Sequence, residues 1–184
     1  MKKLFRLLVL AVVIIGIIVY VPKIIEYIFP FSYNGYIETY SEKYGVDKYL
    51  AYAIIKAESD FNKDTVSQRG AKGLMQIMDK TAAWCAGKIG KDGYDLFEPE
   101  DNIELGIFYV AYLLDYYDGD EDNAVAAYNA GHGNVDSWLS DREYSKNGKT
   151  LDVIPFEETD KYVKKIMFYR KIYAWRDRNY LTKD

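Results

Sequence analysis

A glutamate lies in the apolar stripe of a predicted helix, a position that suits a proton donor. Leu50, Ile54 and Glu58 follow one another at intervals of four residues, so Glu58 continues the apolar face of that helix. Burial on such a face disfavours the ionised carboxylate, raises its pKa and makes the group a proton donor near neutral pH. The alternative is a carboxylate at a frayed helix end that faces water, as most charged side chains do.

The composition excludes several other kinds of chemistry. The 184 residues include one cysteine, Cys85, and one histidine, His132, which leaves no disulfide framework, no Cys-rich zinc site and no leading case for a His-paired triad. No His, Cys or carboxylate cluster has metal-ligand spacing, so neither a metal nor a cofactor is expected. Of the formal charge of −4, residues 1–31 contribute +3 (four basic residues, one acidic), which leaves −7 for residues 32–184. An acidic domain without a basic stripe argues against a nucleic-acid partner.

Three motifs follow one another in order along the chain. The first joins Glu-Ser, Gly-Leu-Met-Gln-Ile and Thr-Ala, at residues 58–59, 73–77 and 81–82. The second is Ala-Tyr-Asn-Ala-Gly, at residues 127–131, and the third is Ile-Pro-Phe-Glu-Glu-Thr with Tyr-Val, at residues 154–159 and 162–163. Together they resemble the catalytic domain of the soluble lytic transglycosylase family over roughly residues 45–170. The resemblance implies a lysozyme-like all-α fold and cleavage of the β-1,4 bond between N-acetylmuramic acid and N-acetylglucosamine in peptidoglycan.

The resemblance also implies roles for individual residues. Glu58 would be the catalytic acid, and further side chains would bind substrate or shape its groove: Ser67, Gln76, Met78, Tyr128, Asn129, Glu158 and Tyr162. Ser67 and Tyr128 match hydroxyl residues near the substrate acetamido group and the catalytic glutamate. Gln76 matches a sugar-contacting amide, and Met78 matches a wall of the groove.

Most of these matched residues also have a structural interpretation. A loop serine, a packed tyrosine and a core methionine are common without any ligand. Asn129 stands beside a glycine and would then serve turn formation, while Glu158 would complement the dipole of the last helix. Two positions depart from the family pattern: His132 and Asp79 stand where the family commonly has proline.

The implied mechanism uses one carboxyl group twice, whereas most glycoside hydrolases use two. Glu58 would protonate the glycosidic oxygen and then take the proton of the muramoyl C6 hydroxyl. That hydroxyl would close onto C1 and give a 1,6-anhydro end without water. Asp60 and Asp64 are the nearby candidates for a second carboxylate, although turn or cap formation is their expected role.

Helical periodicity and helix-end signals predict that residues 32–184 form one all-α domain that positions these side chains. Six helices are predicted, beginning at or just after Ser32, Asp47, Asp79, Asn102, residue 120 and Thr159. Gly45 is expected to stop the first helix, and Gly131 to cap the fifth in the left-handed conformation. No alternating β pattern competes with these helices.

Residues 1–31 are predicted to form a membrane anchor and a short linker. No residue from 7 to 21 is charged, and counting back to Leu4 gives 18 residues, enough to cross a hydrocarbon core of about 30 Å. Three basic residues flank its start, so the N-terminus is expected in the cytoplasm and residues 32–184 on the cell-wall side. The rival is a cleaved signal peptide, which would make the protein secreted; residues 18–22 lack the small-x-small site that cleavage needs.

The sequence therefore predicts a single-pass lytic transglycosylase whose partners are peptidoglycan glycan strands and the cytoplasmic membrane. An alternative of the same class is a hydrolytic muramidase resembling goose-type lysozyme. An alternative of a different class is a non-catalytic peptidoglycan-binding or assembly protein that kept the groove and lost turnover. The presence of Glu58 argues against the latter.

Overall fold

The chain, described over residues 2–181 by a computed structural model, divides into two compact units, Met1–Ser32 and Tyr33–Asp184. The first unit is built around one helix, α1, which covers Lys2–Ile28. Among the described residues, α1 is the only helix long and apolar enough to cross a membrane. Its length and composition suit both a membrane span and a signal sequence near the N-terminus.

The described residues of the second unit form seven α-helices and a final short π-helix. The α-helices are α2 (Asn34–Tyr44), α3 (Lys48–Glu58), α4 (Asp79–Ile89), α5 (Pro99–Tyr116), α6 (Glu121–Ala130), α7 (His132–Ser140) and α8 (Glu157–Arg176); the π-helix is Asp177–Leu181. Residues 2–181 contain no strand, and two isolated bridges in the loop after α3 are the only β pairing there. The predicted all-α class is confirmed.

Several predicted helix ends agree with the structure. Asp47 caps α3 by accepting a hydrogen bond of 3.0 Å from the backbone N–H of Tyr49. Gly45 ends α2 in the left-handed conformation, with φ of 69°. Helix α4 also begins at the predicted residue, Asp79. These signals act within a few residues of the chain, so the sequence alone carries them.

Neither Ser32 nor Asp79 is the N-cap residue of its helix. Tyr33 rather than Ser32 precedes α2, in a left-handed conformation with φ of 58° and without a side-chain cap. Met78 is the N-cap residue of α4, and Asp79 is its first helical residue. The Asp79 carboxylate pairs with Lys72 at 2.8 Å and also lies at the positive end of the helix dipole.

The predicted boundaries around α5 and α7 also need correction. Helix α5 begins at Pro99, three residues before Asn102, because proline is favoured at the first helical position, where its missing N–H costs nothing. Gly131 ends α6 with φ of 86° but ψ of 142°, which is not the predicted left-handed helical cap. It leads directly into α7, which begins at His132 and was not predicted. Two glycines near its start conceal this helix in the sequence.

Helix α3 is the centre of the second unit. Six consecutive residues, 50–55, are at most 1% exposed, as expected for a helix that is apolar on all sides. Helix α8 packs along α3, and the ring of Tyr52 stacks on that of Tyr173 with centroids 5.2 Å apart. The C-terminal end of α3, which carries Glu58, is therefore fixed by the core.

Helix α5 is tied to α2 by a cluster around one largely buried carboxylate. Glu104 accepts hydrogen bonds from the ammonium groups of Lys43 at 2.7 Å and Lys91 at 2.6 Å. Burial alone would raise the pKa of Glu104, but the two ammonium groups outweigh burial and hold that pKa below its ordinary value. This pairing fixes the position of α5, which carries residues of the site described next.

Candidate active site

Glu58 is the last residue of α3, and it meets Tyr162 from α8. The Tyr162 hydroxyl donates a hydrogen bond of 2.6 Å to Glu58 Oε1, although the two residues are 104 positions apart. Burial raises the pKa of Glu58 above its ordinary value, while the Tyr162 hydrogen bond and the charge of Lys165 oppose the rise without cancelling it. The side chain is only partly exposed, so the carboxyl group is suited to giving and taking a proton.

Two tyrosine hydroxyls lie in the electric field of Glu58. Burial, and then the charge of Glu58, raise the pKa values of Tyr162 and Tyr128 well above that of a free phenol. Both groups therefore stay neutral hydrogen-bond donors. The Tyr128 hydroxyl donates to the carbonyl of Met75 at 2.7 Å, which places this residue of α6 against the loop between α3 and α4.

The loop that joins α3 to α4 is held against the end of α3. Ser59 is buried beside the glutamate, and its Oγ donates to the carbonyl of Leu74 at 2.7 Å. Gln76 has a positive φ of 48°, and its Nε2 donates to the carbonyls of Thr65 at 3.0 Å and Gly73 at 2.8 Å. Both amide hydrogens of Gln76 are thus used within the loop, which leaves Oε1 for any contact with a sugar.

Asn102 of α5 is a positioning residue that the sequence interpretation missed. It is fully buried; its Oδ1 accepts from the N–H of Met75 at 2.8 Å, and its Nδ2 donates to the carbonyls of Lys72 and Leu96 at 2.9 Å. Gly73 passes so close that a Cβ there would lie 2.2 Å from the Leu96 carbonyl oxygen. The signal in the sequence that could have identified Asn102 was an amide side chain at the edge of an apolar run, inside a helix that starts at a proline.

Ser67 and Met78 lie at two further points of the same loop. Ser67 Oγ accepts from the backbone N–H of Ala71 at 2.9 Å, so this serine shapes a turn while keeping its own hydrogen to donate. Met78 precedes α4 in an extended conformation and is 44% exposed, which is a surface position and not that of a core methionine.

Asn129 and Glu158 are located where α6 ends and α8 begins. Asn129 Oδ1 accepts from the hydroxyl of Thr159 at 2.8 Å, a link between the two helices that spacing in the sequence does not reveal. Glu158 is exposed in the first turn of α8, where a carboxylate complements the helix dipole. Tyr162 follows one turn later and reaches Glu58 directly.

The two candidates for a second carboxylate point elsewhere. Asp60 is 74% exposed, has a left-handed backbone with φ of 52° and pairs with Lys56. Asp64 is 71% exposed and lies 3.6 Å from the ammonium of Lys63. Within residues 2–181, no group of three His, Cys, Asp or Glu side chains is arranged to hold a metal ion. Of Glu58, Asp60 and Asp64, Glu58 is therefore the carboxyl group that is half-buried and has a raised pKa.

A family model described as the transglycosylase SLT domain matches residues 35–151. The chain belongs to this family. The matched residues of this SLT domain include Glu58, the loop after it and Tyr128, whereas Glu158 and Tyr162 of α8 follow the matched segment.

Curated relatives and solved structures agree with the family. The chain is 34% identical over 152 residues to the soluble lytic murein transglycosylase of Escherichia coli K12, covering 80% of this chain and 24% of that protein. It is 35% identical over 150 residues to the enzyme of that name from Salmonella typhimurium, covering 79% and 23%. The chain thus spans about a quarter of the length of these relatives.

Two solved structures share the fold. An inactive Glu-to-Gln mutant of lytic transglycosylase Slt from Pseudomonas aeruginosa matches with a TM-score of 0.73 and 34% identity, over 80% of this chain and 25% of that one. The complex of the 70-kDa soluble lytic transglycosylase with bulgecin A matches with a TM-score of 0.74 and 32% identity, over 82% and 25%.

Proposed function

We propose that this SLT domain protein is a peptidoglycan lytic transglycosylase that leaves 1,6-anhydromuramoyl ends. The observation that carries the proposal is the pairing of Glu58, a carboxyl with a raised pKa, with the neutral hydroxyl of Tyr162. The names of the relatives support it, since they are soluble lytic murein transglycosylases. Inactivity of a Glu-to-Gln mutant of one relative agrees with a reaction that depends on a glutamate.

The carboxyl group of Glu58 acts in both halves of the proposed reaction. Protonated Glu58 gives its proton to the glycosidic oxygen, and the bond from that oxygen to muramoyl C1 breaks. The carboxylate then accepts the proton of the C6 hydroxyl as O6 bonds to C1, so the product forms without water. The hydrogen bond from Tyr162 fixes the orientation of the carboxyl group through both halves.

The remaining side chains would hold the strand in the groove. Ser67 and Tyr128 would face the acetamido group through their hydroxyls, and Gln76 would use its Oε1. Met78 would form an apolar wall. Asn129 and Glu158 would bind the strand from the junction of α6 and α8.

Mass spectrometry of digested peptidoglycan tests the reaction. Purified protein is expected to release muropeptides with anhydromuramoyl ends, which are lighter by one water than hydrolysed ones. Reducing ends alone would identify a muramidase and contradict the lytic mechanism. Binding to sacculi without any solubilisation would identify a non-catalytic peptidoglycan-binding protein.

We also propose that α1 is an uncleaved single-pass anchor with residues 32–184 on the cell-wall side of the cytoplasmic membrane. Its support is the length and composition of α1 and the basic residues at its start. Full-length protein is then expected in the membrane fraction with its N-terminal segment intact, as measured by mass analysis of the purified protein. A mature N-terminus near residues 22–32 would show cleavage and a secreted enzyme, while leaving the catalytic proposal untouched.

A further inference from the structure

Three exposed lysines of α8 lie close together in the chain but differ in their partners. Lys161 pairs with Glu157 at 2.5 Å and Lys164 pairs with Asp160 at 2.7 Å, each one turn back along the helix. Lys165 is also exposed, and it forms no ion pair with another residue in 2–181. Of the three lysines, Lys165 is therefore the one whose charge no neighbouring carboxylate compensates.

Lys165 lies over the tyrosine that contacts Glu58. Its ammonium is 5.8 Å from the centroid of the Tyr162 ring, within the range of a cation–π interaction. The two residues are three positions apart, so they occupy neighbouring places on one side of α8. The hydroxyl of the same ring donates to Glu58 Oε1 at 2.6 Å. The Tyr162 side chain thus joins an exposed cation to the half-buried carboxyl group.

Two other ionisable groups near Glu58 in the structure or the sequence act differently from Lys165. Tyr128 of α6 is kept neutral, because burial and the charge of Glu58 raise its pKa. Lys56 of α3 is already paired with Asp60. The charge of Lys165, by contrast, acts on Glu58 and lowers its pKa against the effect of burial.

We infer that Lys165 is a positioning residue for the proposed function: its ammonium steadies the Tyr162 ring and favours the negative charge that Glu58 acquires on giving up its proton. The inference rests on that function, in which Glu58 protonates the glycosidic oxygen. Burial alone favours the protonated carboxyl, and a carboxyl that holds its proton too tightly is a weak acid. Because Lys165 acts through the Tyr162 ring and through its electric field, this role needs no contact with the sugar.

NMR titration of the Glu58 carboxyl carbon in the full-length protein tests this role without substrate. The resonance is identified by its absence from the Glu58→Gln protein. Lys165→Met keeps a long side chain and removes the charge, so the titration midpoint of Glu58 is expected to rise by about 0.5 unit, the effect of one partly screened charge. Lys165→Arg is expected to retain the parent midpoint. At about 1 M salt, where the Debye length is about 3 Å, the parent midpoint is expected to approach that of Lys165→Met.

The pH dependence of cleavage is expected to move with this titration. The pH profile of kcat/KM reports the ionisation of the free enzyme. Its alkaline limb is therefore expected about 0.5 unit higher in Lys165→Met than in the parent protein. A purely structural role for Lys165 would lower the unfolding temperature and leave the position of this limb unchanged.

Lys164→Met is the matched control, since Lys164 is the adjacent exposed lysine of α8 and pairs with Asp160. It is expected to leave the midpoint of Glu58 unchanged. An unchanged midpoint in Lys165→Met would overturn the inference, and so would an equal rise in Lys164→Met, which would indicate a general effect of charge on α8. Failure of the proposed function is separate: the parent protein would then release no anhydro product, whatever the titration midpoints.

Discussion

Glu58→Gln is expected to abolish cleavage while the fold and glycan binding persist. Glutamine is nearly isosteric and still accepts the Tyr162 hydrogen bond, but it neither gives a proton to the leaving oxygen nor takes one from the C6 hydroxyl. General acid–base assistance is worth about 10²–10⁴ in rate, and one residue that serves both halves belongs at or above the top of that range. Release of soluble muropeptides measures the loss, and thermal unfolding checks the fold.

Asp60→Asn is the matched control for this experiment. It removes a carboxylate two residues from Glu58 that is 74% exposed and paired with Lys56, and turnover is expected to stay within a few-fold of the parent. A Glu58→Gln protein with full stability and less than a tenfold loss of turnover would contradict the mechanism. Asp60 and Asp64 would then be the first residues to consider as the acid.

The difference in stability between Glu58→Gln and the parent protein is expected to depend on pH. Because burial raises the folded-state pKa of Glu58, the ionised side chain destabilises the fold. The protonated side chain does not, so the contribution of Glu58 to stability is greatest below its pKa in the unfolded chain. That contribution is lost as pH rises through the folded pKa. Glu58→Gln should therefore unfold at a higher temperature than the parent at pH 7, and this difference should disappear near pH 4. The proton-donating form is lost over the same interval, so cleavage should weaken as pH rises through it.

Asn102→Ala is expected to lower the unfolding temperature strongly. The substitution leaves the N–H of Met75 and the carbonyl of Leu96 buried without their partner, while the carbonyl of Lys72 keeps the hydrogen bond from the N–H of Ile77. A buried unsatisfied polar group costs about 1–3 kcal/mol, and the two together should cost about 3–5 kcal/mol. For a chain of this size that corresponds to roughly 10–15 °C in unfolding temperature, measured by calorimetry.

Asn134→Ala separates the loss of an amide from the loss of this network. Asn134 is exposed, and its Nδ2 donates to the carbonyl of Ala130 at 2.7 Å, so its replacement should cost under about 1 kcal/mol. If Asn102→Ala unfolded within 2–3 °C of this control, the network would not hold the loop. Turnover of Asn102→Ala below its unfolding temperature would then report how far the loop alone positions the site.

Local signals in the sequence predicted most of the helices and the candidate acid, Glu58. The cap at Asp47 and the spacing of Leu50, Ile54 and Glu58 act within one or two helical turns, and the structure has both the cap and the raised pKa of Glu58. Helix α7 was not predicted because the glycines at its start disfavour a helix, and the two apolar residues that the structure buries, Val135 and Trp138, form too short a pattern to outweigh them.

Contacts between distant segments could not be read from periodicity. The family resemblance gave Tyr162 only as a substrate-binding residue and did not predict its hydrogen bond to Glu58. The hydrogen bonds of Asn102 and of Tyr128 to Met75 span 27 and 53 residues. Gln76 donates both of its amide hydrogens within its loop because its backbone is left-handed, and its residue type does not predict that conformation. Such details follow from how helices meet, which is decided by the whole chain.

The 104-residue separation of Glu58 and Tyr162 also governs when the catalytic pair first exists. Helix α3 is complete long before α8, the last α-helix of the described chain, has been synthesised. A nascent chain therefore carries Glu58 without the hydroxyl that contacts it, and contacts at such sequence distance form late in folding. The proposed wall-cutting activity would therefore become available only after α8 has been synthesised and has packed against α3.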